Sequence, residues 1–263
     1  QGLAIDSLPR ELPLLVVCAS NLTLPGERSA GARMMLPRLV ESLDRFLAGR
    51  DMSPTERKHL INRFRDRVQA DTDAADDTIL SASDLARIAA RGRSGRCIAV
   101  EAACAGSLAA LDIACESIRT GESGLAIVIG VELPVNSSDL LLCASQRMLA
   151  SGVMASFCEQ ADGFTPGDGA GAVILARPET ARELGLSVEA SLLAIGSSTD
   201  SRSMIAPNVS GQTVAMSRAF ERVRPLGIEP GSFQFVETHG TGTLIGDETE
   251  TRSLAEIYEG ATH

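Results

Sequence analysis

Aromatic residues are scarce in this sequence: they make up only 3% of its 263 residues, with one Tyr and no Trp. The hydrophobic core must therefore be built from Leu, Ile, Val and Ala. An aliphatic, Gly-rich composition is typical of α/β proteins whose strands are buried on both faces. An excess of basic residues is also absent, since the formal net charge is −10. That charge argues against nucleic acid or an anionic membrane as a partner.

The six cysteines include no C-x-x-C pair, so neither a disulfide framework nor a metal site is expected. Four of them lie among aliphatic neighbours, as buried free thiols do: Cys18, Cys97, Cys115 and Cys143. No apolar run is long enough to span a membrane, and no signal peptide opens the chain. We therefore expect a protein of the reducing cytoplasm.

Both ends of the chain indicate a piece of a longer polypeptide. The chain starts at Gln1 rather than Met and soon enters an apolar strand. It stops at His263, directly after a helical pattern. We expect a fold that is incomplete at both ends.

Apolar periodicity predicts an alternation of strands and helices. The predicted strands cover 12–19, 97–101, 125–133, 171–177, 187–197 and 233–237. The predicted helices cover 33–48, 53–68, 105–119, 213–223 and 247–258, the second of them opened by a capping box of Ser53 and Glu56. Such an alternation implies a largely parallel, layered α/β fold.

Cys104 is the first candidate for chemistry, because it falls between a predicted buried strand and the first turn of a helix. Its neighbours Ala102, Ala103, Ala105 and Gly106 are small, so a sharp turn can present the side chain, as in a nucleophile elbow. The N-terminus of the helix stabilises a thiolate by about 1 kcal/mol. A small buried thiol is the competing interpretation of this context.

His239 is the second candidate, because it follows a predicted strand directly and opens a loop of Gly and Thr. Gly240 and Gly242 permit a positive φ or a close backbone approach, and Thr241 and Thr243 supply hydroxyls. Such a loop indicates ligand binding more than packing. Nearby carboxylates are expected to brace the loop and cap the last helix: Glu237, Asp247 and Glu250.

Four segments together resemble the β-ketoacyl synthase family. VETHGTGTLIGDETE at 236–250 is similar to its E-A-H-G-T-G-T-x-x-G-D-P-x-E segment. EAACAGSLAALDIACESIRTGE at 101–122 resembles the nucleophile segment D-T-A-C-S-S-S-L with its helix. The stretch 149–175 resembles L-S-P-D-G…F-D…A-D-G-F…G-E-G-A-G, and 206–208 with Gln212 match A-P-N-G-x-x-Q.

The resemblance implies a role for each matching residue. Cys104 would accept the acyl group, and its backbone N–H would form half of an oxyanion hole. His239 would serve decarboxylation of the malonyl unit and stabilise the enolate oxygen. Thr241 and Thr243 would bind the phosphopantetheine arm of the acyl donor. No cofactor and no metal would be bound directly.

The resemblance also implies a thiolase-like fold with layers α-β-α-β-α. Residues 1–178 would form the N-terminal half with the nucleophile, lacking its first strand. Residues 179–263 would form part of the C-terminal half with the HGTGT loop. The expected partners are an acyl carrier protein, acyl and malonyl thioesters, and a second copy in a homodimer formed near strand 97–101, with no nucleic acid and no membrane.

Departures from the family pattern leave alternatives open. Glu101, Ala102, Ala105 and Gly106 replace the family's Asp, Thr and serines around the nucleophile, and Cys158 stands where the family has Asp. The expected second His and Lys do not occur up to residue 263. The leading interpretation is decarboxylative condensation in fatty-acid or polyketide synthesis. The alternatives are an acyl-transferring synthase that does not elongate, and a non-catalytic partner subunit that sets chain length.

Overall fold

The computed structural model describes residues 8–20, 27–73, 81–132, 137–200, 203 and 206–259. The chain forms two compact units. Unit 1 comprises residues 1–142 and 168–184, and unit 2 comprises residues 143–167 and 185–263. The division predicted after residue 178 stays a prediction, and each unit is described by itself.

Unit 1 contains a four-stranded sheet made of β1 (Leu14–Ser20), β2 (Gly95–Val100), β3 (Leu125–Glu132) and β4 (Gly169–Ala176). The strand order is β2-β1-β3-β4. β1 pairs in parallel with both β2 and β3, so that Val16 lies between Cys97 and Ile127. β4 pairs antiparallel with β3. All four strands were predicted, and the α/β class is confirmed.

Six helices accompany this sheet along the chain: α1 (Glu27–Ala48), α2 (Pro54–Asp73), α3 (Ala82–Ala90), α4 (Gly106–Thr120), α5 (Ser137–Ser145) and α6 (Pro178–Glu183). The capping box that opens α2 is confirmed: Ser53 N donates to Glu56 Oε2 at 2.9 Å, and Glu56 N donates to Ser53 Oγ at 3.2 Å. α1 and α2 both extend several residues beyond their predicted bounds.

The hydrophobic core lies between β1, β3 and α4. Leu15, Val17 and Ala19 of β1 pack against a row of α4 side chains spaced by four residues: Ala110, Ala114 and Ile118. Ala126 and Val128 of β3 complete this cluster. Such spacing places the side chains on one helix face. Small alanines on that face allow the helix to lie close to the two central strands.

The opposite face of the sheet carries α3. Successive side chains of a strand alternate between faces, so Val16 and Cys18 of β1 point away from α4. Cys97, which pairs with Val16, places its Sγ 3.7 Å from Ala86 O of α3. Val16, Cys18 and Ala86 are all fully buried. Unit 1 is therefore a sheet covered by a helix on each side.

Some side chains of the two edge strands, β2 and β4, are more exposed than the sequence predicts. Residues 171–177 were predicted as a buried strand, yet Val173 and Ile174 of β4 are 48% and 40% exposed. Cys97 of β2 was expected to be buried and is exposed. In both cases the strand has a neighbour on one side only, which the apolar composition of a strand does not reveal.

Unit 2 contains α7 (Val209–Val223), α8 (Leu244–Tyr258) and the 3-10 turns Arg224–Leu226 and Pro230–Ser232. The aromatic rings of Phe220 and Tyr258 meet edge to face across α7 and α8, with centroids 6.1 Å apart. Ser253 Oγ of α8 donates to Gln212 Oε1 of α7 at 2.7 Å. Both helices begin three or four residues before their predicted first residues.

The strands predicted at 187–197 and 233–237 are not formed among the described residues. Both segments lack regular secondary structure and carry exposed apolar side chains, of which Phe235 is 79% exposed. A strand requires a hydrogen-bonded neighbour, and no described strand pairs with either segment. The two predictions are therefore wrong for the structure as described.

In the described part of the chain, no helix combines the length and apolarity that crossing a membrane requires.

Candidate active site

Cys104 lies in a short 3-10 turn, Ala103–Ala105, which joins β2 to α4. Ala103 has a φ of +46°, a left-handed conformation that costs a non-glycine residue about 1 kcal/mol or more. Strain of this kind is typical of the sharp turn that presents a nucleophile. The predicted turn between strand and helix is confirmed.

Two glycines hold the start of α4 against the carboxyl ends of the parallel strands. A Cβ at Gly130 of β3 would lie 2.5 Å from Ser107 Oγ, so a larger residue there would displace the Ser107 side chain at the start of α4. A Cβ at Gly106 would come within 3.4 Å of the Ala19 Cβ in β1. Cys104 therefore lies beside the strand ends where ligands bind in open α/β sheets.

The six cysteines fall into three groups by exposure, of which the half-buried group is Cys115 and Cys143. Cys104, Cys97 and Cys158 are exposed, whereas Cys18 is fully buried in the sheet. Burial raises the pKa of the Cys18 thiol. Burial, and secondarily the Asp112 carboxylate, raise the pKa of Cys115. The competing interpretation of Cys104 as a small buried thiol is wrong, because its side chain is open to solvent.

His239 belongs to a loop, residues 238–243, that we call the histidine loop. Two carboxylates of α8 hold its backbone. Glu250 accepts hydrogen bonds from His239 N at 2.7 Å and from Gly240 N at 2.8 Å. Asp247 Oδ1 accepts from Gly242 N at 2.9 Å. These bonds fix the backbone on which the exposed imidazole is mounted.

The same Asp247 joins the histidine loop to the loop of residues 148–164. Its Oδ2 accepts from Phe157 N at 2.5 Å, and the residue is only 7% exposed. Charge-assisted hydrogen bonds from these two N–H groups hold the Asp247 side chain in place. The predicted bracing is thus confirmed for Asp247 and Glu250, but the predicted capping of the last helix by these carboxylates is wrong, because Thr243 caps α8. Glu237 makes no bracing contact in the portion of the chain that is described.

Backbone contacts also join these two loops directly. Gly163 N donates to Gly242 O at 2.9 Å, and a Cβ at Gly242 would lie 2.7 Å from Gly163 O. Gly240 and Gly242 have φ values of +51° and +69°, as their position in the motif predicted. Ser156 Oγ donates to Gly240 O, a contact that the sequence did not reveal.

Thr241 and Thr243 lie side by side, with their Oγ1 atoms 2.9 Å apart. Thr243 Oγ1 also caps α8 by accepting from Gly246 N at 3.2 Å, and Thr241 Oγ1 accepts from Thr243 N at 3.4 Å. Two hydroxyls carry two protons, and their mutual hydrogen bond uses one of them. One O–H therefore remains to donate to a ligand.

Asn208 and Gln212, the remaining motif residues, serve to position helices. Asn208 Oδ1 caps α7 by accepting from Ser210 N at 2.8 Å and Gly211 N at 3.4 Å. Gln212 receives the hydrogen bond from Ser253 that links α7 to α8. Both residues thus support the helix pair that carries the histidine loop.

The described structure brings His239, Thr241 and Thr243 together in one loop of unit 2. Cys104 belongs to unit 1, and its approach to His239 stays a prediction. Within the described ranges, no group of three or more His, Cys, Asp and Glu side chains is placed to hold a metal ion.

The turn at Cys104 falls within a segment that matches known proteins. So do the two loops that Asp247 joins. The sequence model of the β-ketoacyl synthase N-terminal domain matches residues 80–181. That of the β-ketoacyl synthase C-terminal domain matches residues 189–263. Together these matches cover more than half of the chain.

Curated relatives agree with these matches. The chain is 38% identical over 167 residues to 5-methyl-1-naphthoate synthase of Streptomyces sahachiroi, covering 62% of this chain and 9% of that protein. It is 33% identical over 168 residues to a highly reducing polyketide synthase of Talaromyces stipitatus, covering 63% of this chain and 6% of that protein. The chain thus spans less than a tenth of either relative.

Among solved structures, the oxazolomycin ketosynthase domain of Streptomyces albus superposes with a TM-score of 0.70 at 24% identity. The superposition covers 96% of this chain and 39% of that chain, and it shows a shared thiolase-like fold. The chain that places Cys104 in a strained turn and His239 in a braced loop belongs to the β-ketoacyl synthase family.

Proposed function

We propose that this chain carries the acyl-accepting part of a polyketide-type ketosynthase, with Cys104 as the nucleophile. Family membership and similarity to polyketide synthases support the proposal. The single observation that carries it is the position of Cys104: an exposed thiol in a strained turn beside the carboxyl ends of parallel strands.

In the first half-reaction, the Cys104 thiolate attacks the carbonyl carbon of an acyl thioester. The negative charge moves to the carbonyl oxygen, where the Cys104 N–H would donate a hydrogen bond. The intermediate then expels the thiolate of the carrier, which takes up a proton. The acyl group is left as a thioester on Cys104, as in covalent catalysis generally.

In the second half-reaction, a malonyl thioester loses carbon dioxide, and the electron pair of the broken bond forms an enolate. We assign to His239 a hydrogen bond that stabilises the enolate oxygen. The enolate carbon attacks the acyl carbonyl and releases the Cys104 thiolate, which restores the starting state. The braced backbone of the histidine loop supports this assignment, because preorganised donors need no rearrangement during the reaction.

Thr241 and Thr243 are proposed to bind the phosphopantetheine arm of an acyl carrier protein. The arm contains amide carbonyls that accept hydrogen bonds, and the threonine pair retains one O–H to donate. The carrier protein and its acyl and malonyl thioesters are thus the proposed partners. This pairing explains why two hydroxyls occur two residues apart.

A homodimer formed along β2 is also proposed. β2 is an edge strand with mostly exposed side chains, and an unpaired strand edge is a template for pairing with another chain. None of the six cysteines forms a disulfide, which favours the cytoplasm as the compartment. Pairing through β2 would cover the exposed Cys97 and leave Cys104 close to the dimer interface.

Acylation of the full-length polypeptide tests this function directly. The protein is incubated with a butyryl-loaded acyl carrier protein, and tryptic peptides are analysed by mass spectrometry. We expect a butyryl group on the Cys104 peptide, none in Cys104→Ala, and undiminished labelling in the matched control Cys158→Ala. If the wild-type protein never acquires an acyl group on Cys104, the proposed function is wrong.

A further inference from the structure

A pocket between α1 and α2 has no role in the condensation proposed above. It has a volume of about 450 Å³ and lies outside the family match, which begins at residue 80. That volume is within the range of small-molecule sites, about 300–1,000 Å³. The pocket lies entirely within unit 1, in the helix pair at residues 27–73.

The walls of this pocket differ in chemistry. Its apolar part consists of Leu47, which is 8% exposed, with Ala48, Met52, Pro54 and Ile61. Its polar part contains four cationic side chains, Arg50, Arg57, Lys58 and Arg65, together with Asn62 and a single carboxylate, Asp44. Lys58, Ile61 and Arg65 share a face of α2 because they are three and four residues apart.

Three of the four cations are held in place by neighbouring groups. Arg57 Nε donates to Asp44 Oδ1 at 2.7 Å, so this pair offsets its own charges. Arg65 donates to Asn62 Oδ1 at 3.1 Å, and the Arg50 guanidinium lies 4.6 Å above the centre of the Phe46 ring. Donors that are already oriented lose less entropy when a ligand binds.

Positive charge is left uncompensated at the pocket. Across the described residues, no salt bridge engages Arg50, Lys58 or Arg65. This local excess stands in a chain whose net charge is −10, so the pocket is a positive site on an acidic protein. An anion is the ligand that such a site attracts.

We propose that the pocket between α1 and α2 binds a small amphiphilic anion: a phosphate or carboxylate group attached to an apolar chain. Arg50, Lys58 and Arg65 would contact the anionic group, and the apolar wall of Leu47, Met52 and Ile61 would contact the chain. The pocket volume of about 450 Å³ suits one small molecule. A protein partner would need a much wider contact, because stable protein interfaces bury at least about 1,200 Å² of surface.

Calorimetric titration of the full chain with octyl phosphate and with inorganic phosphate tests this proposal. We expect saturable binding of octyl phosphate, about tenfold tighter than inorganic phosphate because the apolar wall buries part of the octyl chain. Affinity for both probes should fall as salt is added, since the contacts are charged and partly exposed.

Two matched variants locate the site. Arg65→Gln should weaken octyl phosphate binding about tenfold, which is typical for loss of a charge-assisted contact. Arg63→Gln removes the same charge from the same helix. Because Arg63 does not line the pocket, the affinity of this variant for octyl phosphate should equal that of the wild-type chain. Thermal unfolding of both variants checks that they remain folded.

Three results would overturn the proposal. The first is the absence of saturable binding by the folded wild-type chain. The second is an equal loss of affinity in Arg65→Gln and Arg63→Gln, which would mean that only the overall charge attracts the anion. The third is tighter binding of a hexaglutamate peptide than of octyl phosphate, which would identify a docking surface for an acidic polypeptide.

Discussion

The turn that carries Cys104 and the loop that carries His239 are held by different forces. The turn in unit 1 is fixed by apolar packing, because α4 lies on the buried strand β1 and the buried first half of β3. The histidine loop in unit 2 is fixed by hydrogen bonds from backbone N–H groups to two carboxylates of α8. The turn at Cys104 therefore depends on how well apolar side chains fill the space between α4 and the sheet. The histidine loop depends instead on a few individual hydrogen bonds.

This difference predicts different responses to mutation. Apolar packing is spread over many contacts, so its loss is gradual and depends on the size of the cavity left behind. A buried hydrogen bond is lost completely when its acceptor is removed, and the N–H group that remains has no partner. Four experiments test this contrast, in order of decreasing effect.

Leu15→Ala should destabilise unit 1 by about 3 kcal/mol, because it leaves a cavity at a fully buried position in β1. Leu108→Ala is the matched control. Leu108 is 62% exposed on α4, and its truncation should change the free energy of unfolding by about 0.5 kcal/mol or less. Urea denaturation followed by circular dichroism measures both values. Equal losses would mean that the packing of β1 does not hold the unit.

Asp247→Asn should lower the free energy of unfolding by about 2 kcal/mol, because the amide keeps one acceptor oxygen for two N–H donors, of which the one at Gly242 is buried. Hydrogen exchange at Phe157 or Gly242, whichever N–H loses its acceptor, should accelerate at the same time.

Glu248→Gln serves as the control for Asp247→Asn, one residue away. Glu248 is exposed and, among the described residues, forms one ion pair, with Arg252 on the same helix, so its loss should cost about 0.5 kcal/mol or less. Unchanged protection at both Phe157 and Gly242 in Asp247→Asn would contradict the bracing role.

Ala103→Gly should raise the free energy of unfolding by about 1 kcal/mol, because glycine adopts a φ of +46° without steric strain. Ala109→Gly, in the interior of α4, should lower it by about 1 kcal/mol, since glycine disfavours a helix. Thermal or urea unfolding distinguishes the two signs. A loss of stability in both variants would show that the turn at Cys104 carries no strain.

Ser151→Ala should raise the pKa of Asp162, because the hydrogen bond from the Ser151 side chain is the main reason that this pKa is lowered. The hydrogen bond contributes stability above the ordinary carboxyl pKa, and that contribution is lost as pH falls through the lowered value. A carbon-13 NMR titration of the Asp162 carboxyl measures the shift. Ser187→Ala, which removes a hydroxyl bonded to Glu189, should leave it unchanged.

Much of unit 1 could be predicted because its signals are local. β1 and β3 read as continuous apolar runs, and α4 combines helical periodicity with Gly121 at its end, where the φ is +82°. α3 was missed although Ser81 and Asp84 form a capping box before it. Its apolar residues do recur at helical spacing, so the capping box and the periodicity together could have revealed this nine-residue helix.

The strand-like segments of unit 2 show where local reasoning fails. Residues 187–197 and 233–237 have strand composition, yet they are unpaired among the described residues. Pairing depends on a neighbour that is distant in sequence, and apolar composition does not specify that neighbour. The exposure of β4 escaped prediction for the same reason.

The sequence by itself determined the family, the candidate residues Cys104 and His239, and the strand-to-helix turn. Motif spacing and local periodicity carry that information. Only the tertiary structure decided that Asp247 ties two loops together, that Cys104 is open to solvent, and that a cationic pocket lies between α1 and α2. Each of these depends on which distant groups meet, and contact between distant groups is a property of packing that no single segment encodes.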